Sequence, residues 1–202
     1  IPAGALLTFT VDANRIKVTQ NGAELYLTAN RLYAVPADGA ATIRIDSITR
    51  AHGKPQYRGV LEISLTPAKD KLRVINEVGM EAYLYQVVPS EMPASFGLEA
   101  LKAQAVAART YALSDYNSGR FADKGFHIDD STLSQVYNNQ AENDLTTQAV
   151  NETAGLVMMS GEEPVDARFY STSGGYGASK HEVWAEADTN RFPGTPVPYL
   201  MA

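Results

Sequence analysis

Glu91 is the side chain whose setting in the sequence best suits acid–base chemistry. It lies in the segment Pro89-Ser90-Glu91-Met92-Pro93, and a proline on each side restricts the backbone around it. A carboxylate in a stiff turn between apolar segments loses part of its hydration, which raises its pKa toward the range that a general acid needs. A glutamate between prolines is also common in solvated loops, so a catalytic role and a plain surface role both stay open on this observation.

Arg109 is the second candidate, because it stands alone on an apolar helix. It is the one charged residue between Ala103 and Ser114 in a segment rich in alanine. A buried guanidinium without a partner costs several kcal/mol, so Arg109 needs a carboxylate, backbone carbonyls or a ligand. Two readings follow: an internal ion pair that holds the fold, or a side chain that lines a cleft or orients a catalytic acid.

Other constellations are weaker. The run Ser171-Thr172-Ser173-Gly174-Gly175 offers hydroxyl and backbone N–H groups to a polar ligand, although such loops are usually plain turns. His127, Asp129 and Asp130 are close in sequence but fall short of a zinc pattern. The chain has no G-x-S-x-G elbow and no phosphate-binding glycine loop, so a serine hydrolase and a nucleotide-binding protein have no support.

Composition excludes several classes of function. The 202 residues carry a formal net charge of −6, which argues against binding nucleic acid or anionic lipid, because both need a basic surface. There is no cysteine, so the chain has neither a disulfide framework nor a thiolate nucleophile. No apolar run approaches the roughly 18 residues that span a bilayer, and the opening Ile1-Pro2-Ala3-Gly4 does not resemble a signal peptide.

The pattern along the chain predicts an α+β fold: an antiparallel β-rich N-terminal region, 1–78, packed with a mixed helical and strand core, 79–202, around one long buried helix. Strict alternation around Asn21-Gly22 predicts a β-hairpin. The predicted strands are 7–11, 15–19, 24–28, 42–45, 57–65, 72–78, 156–160 and 165–170. The predicted helices are 80–88, stopped by Pro89, 98–118, ended by Gly119, and 144–153, capped by Asp144.

Four segments together resemble one protein family. They are Val88-Pro89-Ser90-Glu91-Met92-Pro93, the helix segment Glu99-Ala100-Leu101-Lys102-Ala103-Gln104-Ala105-Val106-Ala107-Ala108-Arg109-Thr110-Tyr111-Ala112, the pair Asp130-Ser131-Thr132 and Gln135-Val136-Tyr137, and Tyr170-Ser171-Thr172-Ser173-Gly174-Gly175. In order and spacing they resemble the stage II sporulation protein D (SpoIID/LytB) family, over about residues 72–184. The N-terminal strands resemble the family's variable β region only in outline.

The resemblance implies a lytic transglycosylase that cleaves the MurNAc–GlcNAc bond of peptidoglycan, preferring glycan strands stripped of stem peptides. It implies Glu91 as the catalytic acid/base and Arg109 as a residue needed for activity. The side chains and glycines expected to bind substrate are Ser90, Lys102, Gln135, Tyr137, Tyr170, Ser171, Ser173, Gly174 and Gly175. Some family members bind zinc through one His and two Cys near the Q-V-Y segment. Here Ser134 precedes Gln135 and cysteine is absent, so no metal and no other cofactor is expected.

Two alternatives stay open beside the transglycosylase. The first is a hydrolytic muramidase that adds Asp129 or Asp130 as a second carboxylate, since ordinary glycosidases use two. The second is a non-catalytic wall protein, because members named for LytB are described as amidase enhancers. The expected partners are peptidoglycan strands, a cell-wall amidase and other wall-remodelling proteins, and no nucleic acid. The expected location is extracytoplasmic, in the wall or on the membrane through an anchor outside this sequence.

Overall fold

The computed structural model describes residues 4–186 and 188–202. Within these residues the chain is α+β, as predicted, with small antiparallel sheets followed by helices. The strands are β1 Thr8–Asp12, β2 Arg15–Gln20, β3 Ala23–Thr28, β4 Leu32–Ala34, β5 Ile43–Arg44, β6 Gln56–Tyr57, β7 Val60–Leu65, β8 Leu72–Glu77, β9 Met159–Ser160 and β10 Glu163–Pro164. The helices are α1 Met80–Glu91, α2 Leu98–Ser118, α3 Asp144–Glu152 and α4 Lys180–Val183.

The first sheet is the antiparallel meander β1-β2-β3. Asn21 and Gly22 both have positive φ, 51° and 82°, as a tight two-residue hairpin turn requires, so the predicted hairpin is confirmed. Ile16 and Val18 alternate toward the core and are almost fully buried. The sheet therefore presents one apolar face to the rest of the molecule.

The second sheet, β4-β7-β8, brings the N-terminal region onto the helices. Leu61 and Ile63 of β7 share one hydrophobic core with Leu84 and Val88 of α1 and Leu101 of α2. The strands of the N-terminal region end at Glu77 and the first helix begins at Met80. The change of secondary structure therefore falls where the sequence pattern changes, while the core is continuous across it; the division into two domains stays a prediction.

The long helix α2 has the bounds that its sequence predicts. Its centre is enclosed on all sides, since every residue from Ala108 to Ala112 is buried, while its last turn is exposed. Gly119 ends it in the left-handed conformation at φ 63°, which glycine adopts without strain. Both α1 and α3 pack against α2. Among the described residues, no helix combines the length and the apolarity that a bilayer crossing requires.

Three local predictions are wrong. Pro89 does not stop α1, which runs on to Glu91, because the missing N–H costs one hydrogen bond and the next turn continues with Met92 N donating to Val88 O at 3.0 Å. Asn143 rather than Asp144 caps α3, accepting from Thr146 N at 3.0 Å.

The third error lies after α3. Residues 165–170 are not a strand, although Val165 and Ala167 are buried against Tyr111 of α2. Their apolar alternation comes from packing on a helix rather than from pairing in a sheet. Of the predicted strand 156–160, only β9 pairs, in a two-residue ladder with β10.

A buried ion pair joins α1 to α2. Arg109 is 2% exposed, and its Nε and Nη2 donate to the two carboxylate oxygens of Glu81 at 2.9 and 2.6 Å. Its guanidinium also donates to the backbone oxygens of Val150 at 3.3 Å and Leu156 at 3.1 Å. One side chain thus ties together α1, α2, the end of α3 and the segment that follows it, which is the internal ion pair that the sequence left open.

We expect Arg109→Met to lower the free energy of unfolding by about 3 kcal/mol, because it removes the cation that pairs with the Glu81 carboxylate and one donor from each of two backbone carbonyls. Denaturant unfolding measures the loss. Glu81→Gln is the milder change, because Glu81 is partly exposed, at 35% of its side chain, and an amide oxygen still accepts from the guanidinium. Equal stability of Arg109→Met and wild type would contradict a structural role for the pair.

Candidate active site

Glu91 is the last residue of α1 and is half-buried. Its Oε1 accepts a hydrogen bond of 2.6 Å from the backbone N–H of Val136. Within residues 4–186 and 188–202, no lysine or arginine nitrogen lies within ion-pair distance of this carboxylate. The side chain is therefore oriented by a neutral donor on one oxygen, which leaves the other oxygen to carry or exchange a proton.

The environment of Glu91 favours the protonated form. Loss of hydration raises the pKa of its carboxyl above the ordinary glutamate value, and the Val136 N–H only partly opposes this shift. The C-terminal end of a helix carries partial negative charge, which acts in the same direction on a carboxylate placed there. A glutamate with these properties can donate a proton and take one back.

Gln135 and Tyr137 fix the backbone on both sides of Val136. Gln135 is fully buried; its Nε2 donates to Ala108 O at 3.3 Å, and its Oε1 accepts from Tyr83 OH at 3.1 Å. Tyr137 is 5% exposed and stacks on Tyr83 with ring centroids 5.0 Å apart. Both side chains are buried and hold the backbone whose N–H donates to Glu91. The predicted contact of Gln135 and Tyr137 with substrate stays a prediction.

Ser90, one residue before Glu91, also holds the backbone of a neighbouring segment against the end of α1. Its Oγ donates to Gln86 O at 2.6 Å and accepts from the backbone N–H groups of Asn139 at 3.0 Å and Gln140 at 3.1 Å. The segment 136–140 therefore wraps the last turn of α1, held by Glu91 at one end and by Ser90 at the other. The Ser90 hydroxyl therefore already makes three hydrogen bonds within the protein. Its predicted contact with a sugar stays a prediction.

Arg109 lies far from Glu91. Its partner Glu81 is ten residues before Glu91 on the same helix, roughly 15 Å along the axis. With its side chain 3% exposed, the guanidinium has no surface to offer a substrate. Any effect of Arg109 on activity therefore passes through the fold.

Lys102 is partly exposed and bound by acids. Its ammonium lies 2.9 Å from Glu99 Oε1 and 2.6 Å from Glu152 Oε2, so it links the start of α2 to the end of α3. No hydrogen bond within the described residues joins it to Glu91, and its predicted contact with substrate stays a prediction.

The serine- and glycine-rich loop is exposed. Tyr170 is 71% exposed, and the hydrogen bonds of Ser171 and Ser173 stay within the loop, to Thr172 and from Gly175 N. Tyr170, Ser173 and Gly174 line a cavity of about 510 Å³. No hydrogen bond in the described part of the chain connects this loop to Glu91, so its substrate role also stays a prediction.

The residues considered for a metal or a second carboxylate are dispersed. Asp130 pairs with Arg50, and Asp129 accepts from Ser131 N at 3.0 Å. His127 lies against the ring of Tyr116. Among residues 4–186 and 188–202, no three His, Asp or Glu side chains come together as metal ligands would.

Sequence reasoning missed two parts of the site. The first is the backbone N–H of Val136, for which a sequence offers no signal, because any residue other than proline carries this donor. The second is Tyr83, two turns before Glu91 on α1. Its phenol supports Gln135, and a tyrosine among apolar helix residues looks like ordinary core.

Comparison with known proteins gives a consistent result. A family model described as "Stage II sporulation protein" matches residues 68–159. Stage II sporulation protein D of Bacillus subtilis (strain 168) is 33% identical over 173 residues, 76% of this chain and 48% of that protein. The amidase enhancer of the same organism is 40% identical over 116 residues, 57% of this chain and 14% of that protein. Stage II sporulation protein D of Bacillus amyloliquefaciens is 35% identical over 142 residues, 63% of this chain and 39% of that protein.

The chain spans less than half the length of each of these three relatives. No solved structure gives a significant match. The matched segment 68–159 contains Glu91, Arg109 and the wrapping segment 136–140, which are the parts of the molecule described above. The chain therefore belongs to the stage II sporulation protein D (SpoIID) family.

Proposed function

We propose that this protein is a peptidoglycan lytic transglycosylase, which cleaves the MurNAc–GlcNAc bond, preferably in peptide-stripped strands, and leaves anhydro-MurNAc ends. The observation that carries the proposal is the setting of Glu91: half-buried, raised in pKa and held by one backbone N–H without a cation. A cation beside it would lower its pKa and favour the anion. Among the described residues no such cation pairs with Glu91, which suits a carboxyl that must be protonated at the start of the reaction.

The reaction needs only one such group. Protonated Glu91 donates its proton to the glycosidic oxygen, and the bond from that oxygen to the anomeric carbon breaks, with its electron pair leaving on the GlcNAc hydroxyl. The resulting carboxylate then takes the proton of the muramic acid C6 hydroxyl, whose oxygen bonds to the anomeric carbon. The proton lost by Glu91 is restored, no water is consumed, and the product is an anhydro sugar.

The hydrogen bond from Val136 suits both halves of this cycle. It occupies Oε1 and thereby directs the proton to the other carboxyl oxygen. The same N–H stabilises the carboxylate once the proton has left, so the charge that develops on Glu91 has a fixed donor in place. Because Gln135 and Tyr137 are buried, the donor cannot easily move during the reaction.

A hydrolytic muramidase needs a second carboxylate across the bond. Asp129 and Asp130 lie on the segment that leads to Val136, but both already have partners, Ser131 and Arg50. That arrangement favours the mechanism with a single carboxylate.

A non-catalytic role has one observation in its favour, because one relative is named an amidase enhancer. In that case the surface around Glu91 would bind glycan and present it to a cell-wall amidase, with no bond broken by this chain. Either role places the protein outside the cytoplasm, at the wall, which forms part of the proposal.

We expect Glu91→Gln to lower the rate of glycan cleavage by about 10²–10⁴-fold or more, because the amide keeps the shape and the Val136 contact but carries no proton to donate. The measurement is mass analysis of the products from purified, peptide-stripped glycan. Wild type should give anhydro ends. Glu99→Gln, an exposed carboxylate at the start of α2 with 85% of its side chain accessible, is the matched control and should keep full rate.

Full activity of a folded Glu91→Gln variant would rule out the acid mechanism. Reducing ends in place of anhydro ends would support the muramidase, and stimulation of an amidase without cleavage would support the enhancer.

Asp129→Asn and Asp130→Asn should each keep most of the cleavage rate, because neither carboxylate has a chemical step in the single-carboxylate mechanism. Initial rates on the same glycan check this. If either variant unfolds like wild type but loses as much cleavage rate as Glu91→Gln does, that aspartate would instead be the second carboxylate of a hydrolase.

The raised pKa of Glu91 also predicts a pH-dependent stability. A carboxyl that binds its proton more tightly in the folded state contributes stability that is full below the unfolded-state pKa and is lost as pH rises through the folded-state pKa. The uncharged Glu91→Gln variant has no such loss. Its free energy of unfolding, compared with wild type by denaturant titration at about pH 4 and about pH 8, should therefore improve at the higher pH. A difference that does not change with pH would contradict the raised pKa.

A further inference from the structure

A second cavity lies beside the C-terminal half of α1, where it is lined by Gln86, roughly 140° around the helix from Glu91. It has a volume of about 330 Å³ and is enclosed by the segment 50–58, by α1 and by residues 138–142. Its position between the N-terminal region and the core makes it a cleft formed by parts of the chain far apart in sequence.

The lining is cationic in a chain that is acidic as a whole. Three permanent cations, Arg50, Lys54 and Arg58, and the imidazole of His52 face a single carboxylate, Glu142, whereas the net charge of the chain is −6. Glu142 is occupied by Arg58 through two contacts of 2.8 Å.

Lys54 is the cation of this lining that has no acid bound to it within the described residues. Its ammonium donates to Thr49 Oγ1 at 3.0 Å. The nearby acid Asp46 is held by Arg44 at 2.6 Å. The ammonium of Lys54 is thus left to attract an anion from outside the chain.

Two polar atoms of lining residues lack partners. Gln86 is 3% exposed, and its Nε2 donates to Gln56 O at 2.7 Å and to Glu142 Oε1 at 3.2 Å, while its Oε1 accepts no hydrogen bond. Arg50 Nε is likewise buried without an acceptor. Buried polar groups are rarely left unpaired, so these two atoms make the wall behind the cavity polar, but neither is exposed to a ligand inside it.

The cavity is close to the cleavage site. Gln86 is five residues before Glu91 on α1, roughly 7.5 Å along the axis. The segment that begins at Val136 on Glu91 continues to Asn138 and Gln140, which line the cavity. The segment therefore connects the residue that holds Glu91 to the wall of the cavity that Lys54 also lines.

We propose that this cavity is an anion subsite that binds a carboxylate of the glycan strand, with Lys54 as the cation that meets it. The proposal rests on the proposed function. Two sources of the carboxylate share this chemistry: the lactyl group of muramic acid, which is free once stem peptides are removed, and the carboxyl ends of stem peptides themselves.

The test measures binding in a Glu91→Gln background, in which the strand is not consumed. The ligands are peptide-stripped glycan, the same glycan with its carboxylates converted to methylamides, fragments that retain stem peptides, and neutral N-acetylglucosamine oligomers. We expect Lys54→Gln to bind stripped glycan about tenfold more weakly, as loss of one charge-assisted hydrogen bond should. Neutral oligomers should bind both proteins equally, and methylamidation should weaken binding only when Lys54 is present.

Lys71→Gln is the matched control. It removes the same charge from an exposed residue next to the turn between β7 and β8, outside the cavity. Thermal unfolding verifies that each variant is folded. An effect of Lys54→Gln confined to fragments with stem peptides assigns the carboxylate to the peptide, and an effect on stripped glycan assigns it to the lactyl group.

Unchanged affinity of Lys54→Gln for both stripped glycan and fragments with stem peptides would overturn the subsite. An equal loss in Lys71→Gln would also overturn it, as would an effect on stripped glycan that persists after methylamidation. The proposed function fails separately, through full cleavage by Glu91→Gln, because that failure is read from the products formed, whereas the subsite is read from the affinity difference that Lys54→Gln makes. Carboxylate-dependent binding without any cleavage by wild type would therefore support the subsite while contradicting the proposed function.

Discussion

The paired hydrogen bonds between Arg109 and Glu81 are the interaction on which the rest of the molecule depends. They bury a cation at the centre of the longest helix and connect it to the first turn of α1, while the remaining guanidinium hydrogens hold the backbone in the last turn of α3 and in the segment after it. A charge placed there tolerates few other arrangements, because each alternative leaves it unpaired in an apolar core. The pair thus fixes α1 against α2, and the far end of α1 is where Glu91 meets Val136.

Two glutamates at opposite ends of α1 show how one helix supports two tasks. Glu81 lies in the first turn, where the helix dipole stabilises a negative charge, and it meets a cation. Glu91 lies in the last turn, where the dipole disfavours the charge, and it meets only a neutral donor. The first carboxylate is engaged in an ion pair that supports the fold and the second is left able to exchange a proton, because their surroundings differ and not their chemistry.

Much of the fold and part of the candidate site can be predicted from the sequence. Alternation and the Asn21-Gly22 turn predict the first hairpin, and composition with the Gly119 stop predicts α2, because both patterns are local. The need of Arg109 for a partner follows from burial energetics, but the identity of that partner does not, because it depends on which helices pack. The motif around Gln135 and Tyr137 predicts substrate contacts, and it gives no sign that the fold buries both side chains, because their burial depends on how distant segments pack. The donor to Glu91 is a backbone group and carries no sequence signature.

Glu91 accepts a hydrogen bond from the backbone N–H of Val136, and Ser90 accepts hydrogen bonds from those of Asn139 and Gln140. Two adjacent residues in the last turn of α1, a turn that lacks the N–H of Pro89, therefore anchor the whole segment 136–140. Fraying of that turn releases all three amides together, so hydrogen exchange at these positions belongs to one cooperative opening. The setting of the Glu91 carboxylate and the wall of the cationic cavity would then become ordered or disordered together. The local order of a single helical turn would govern access to both.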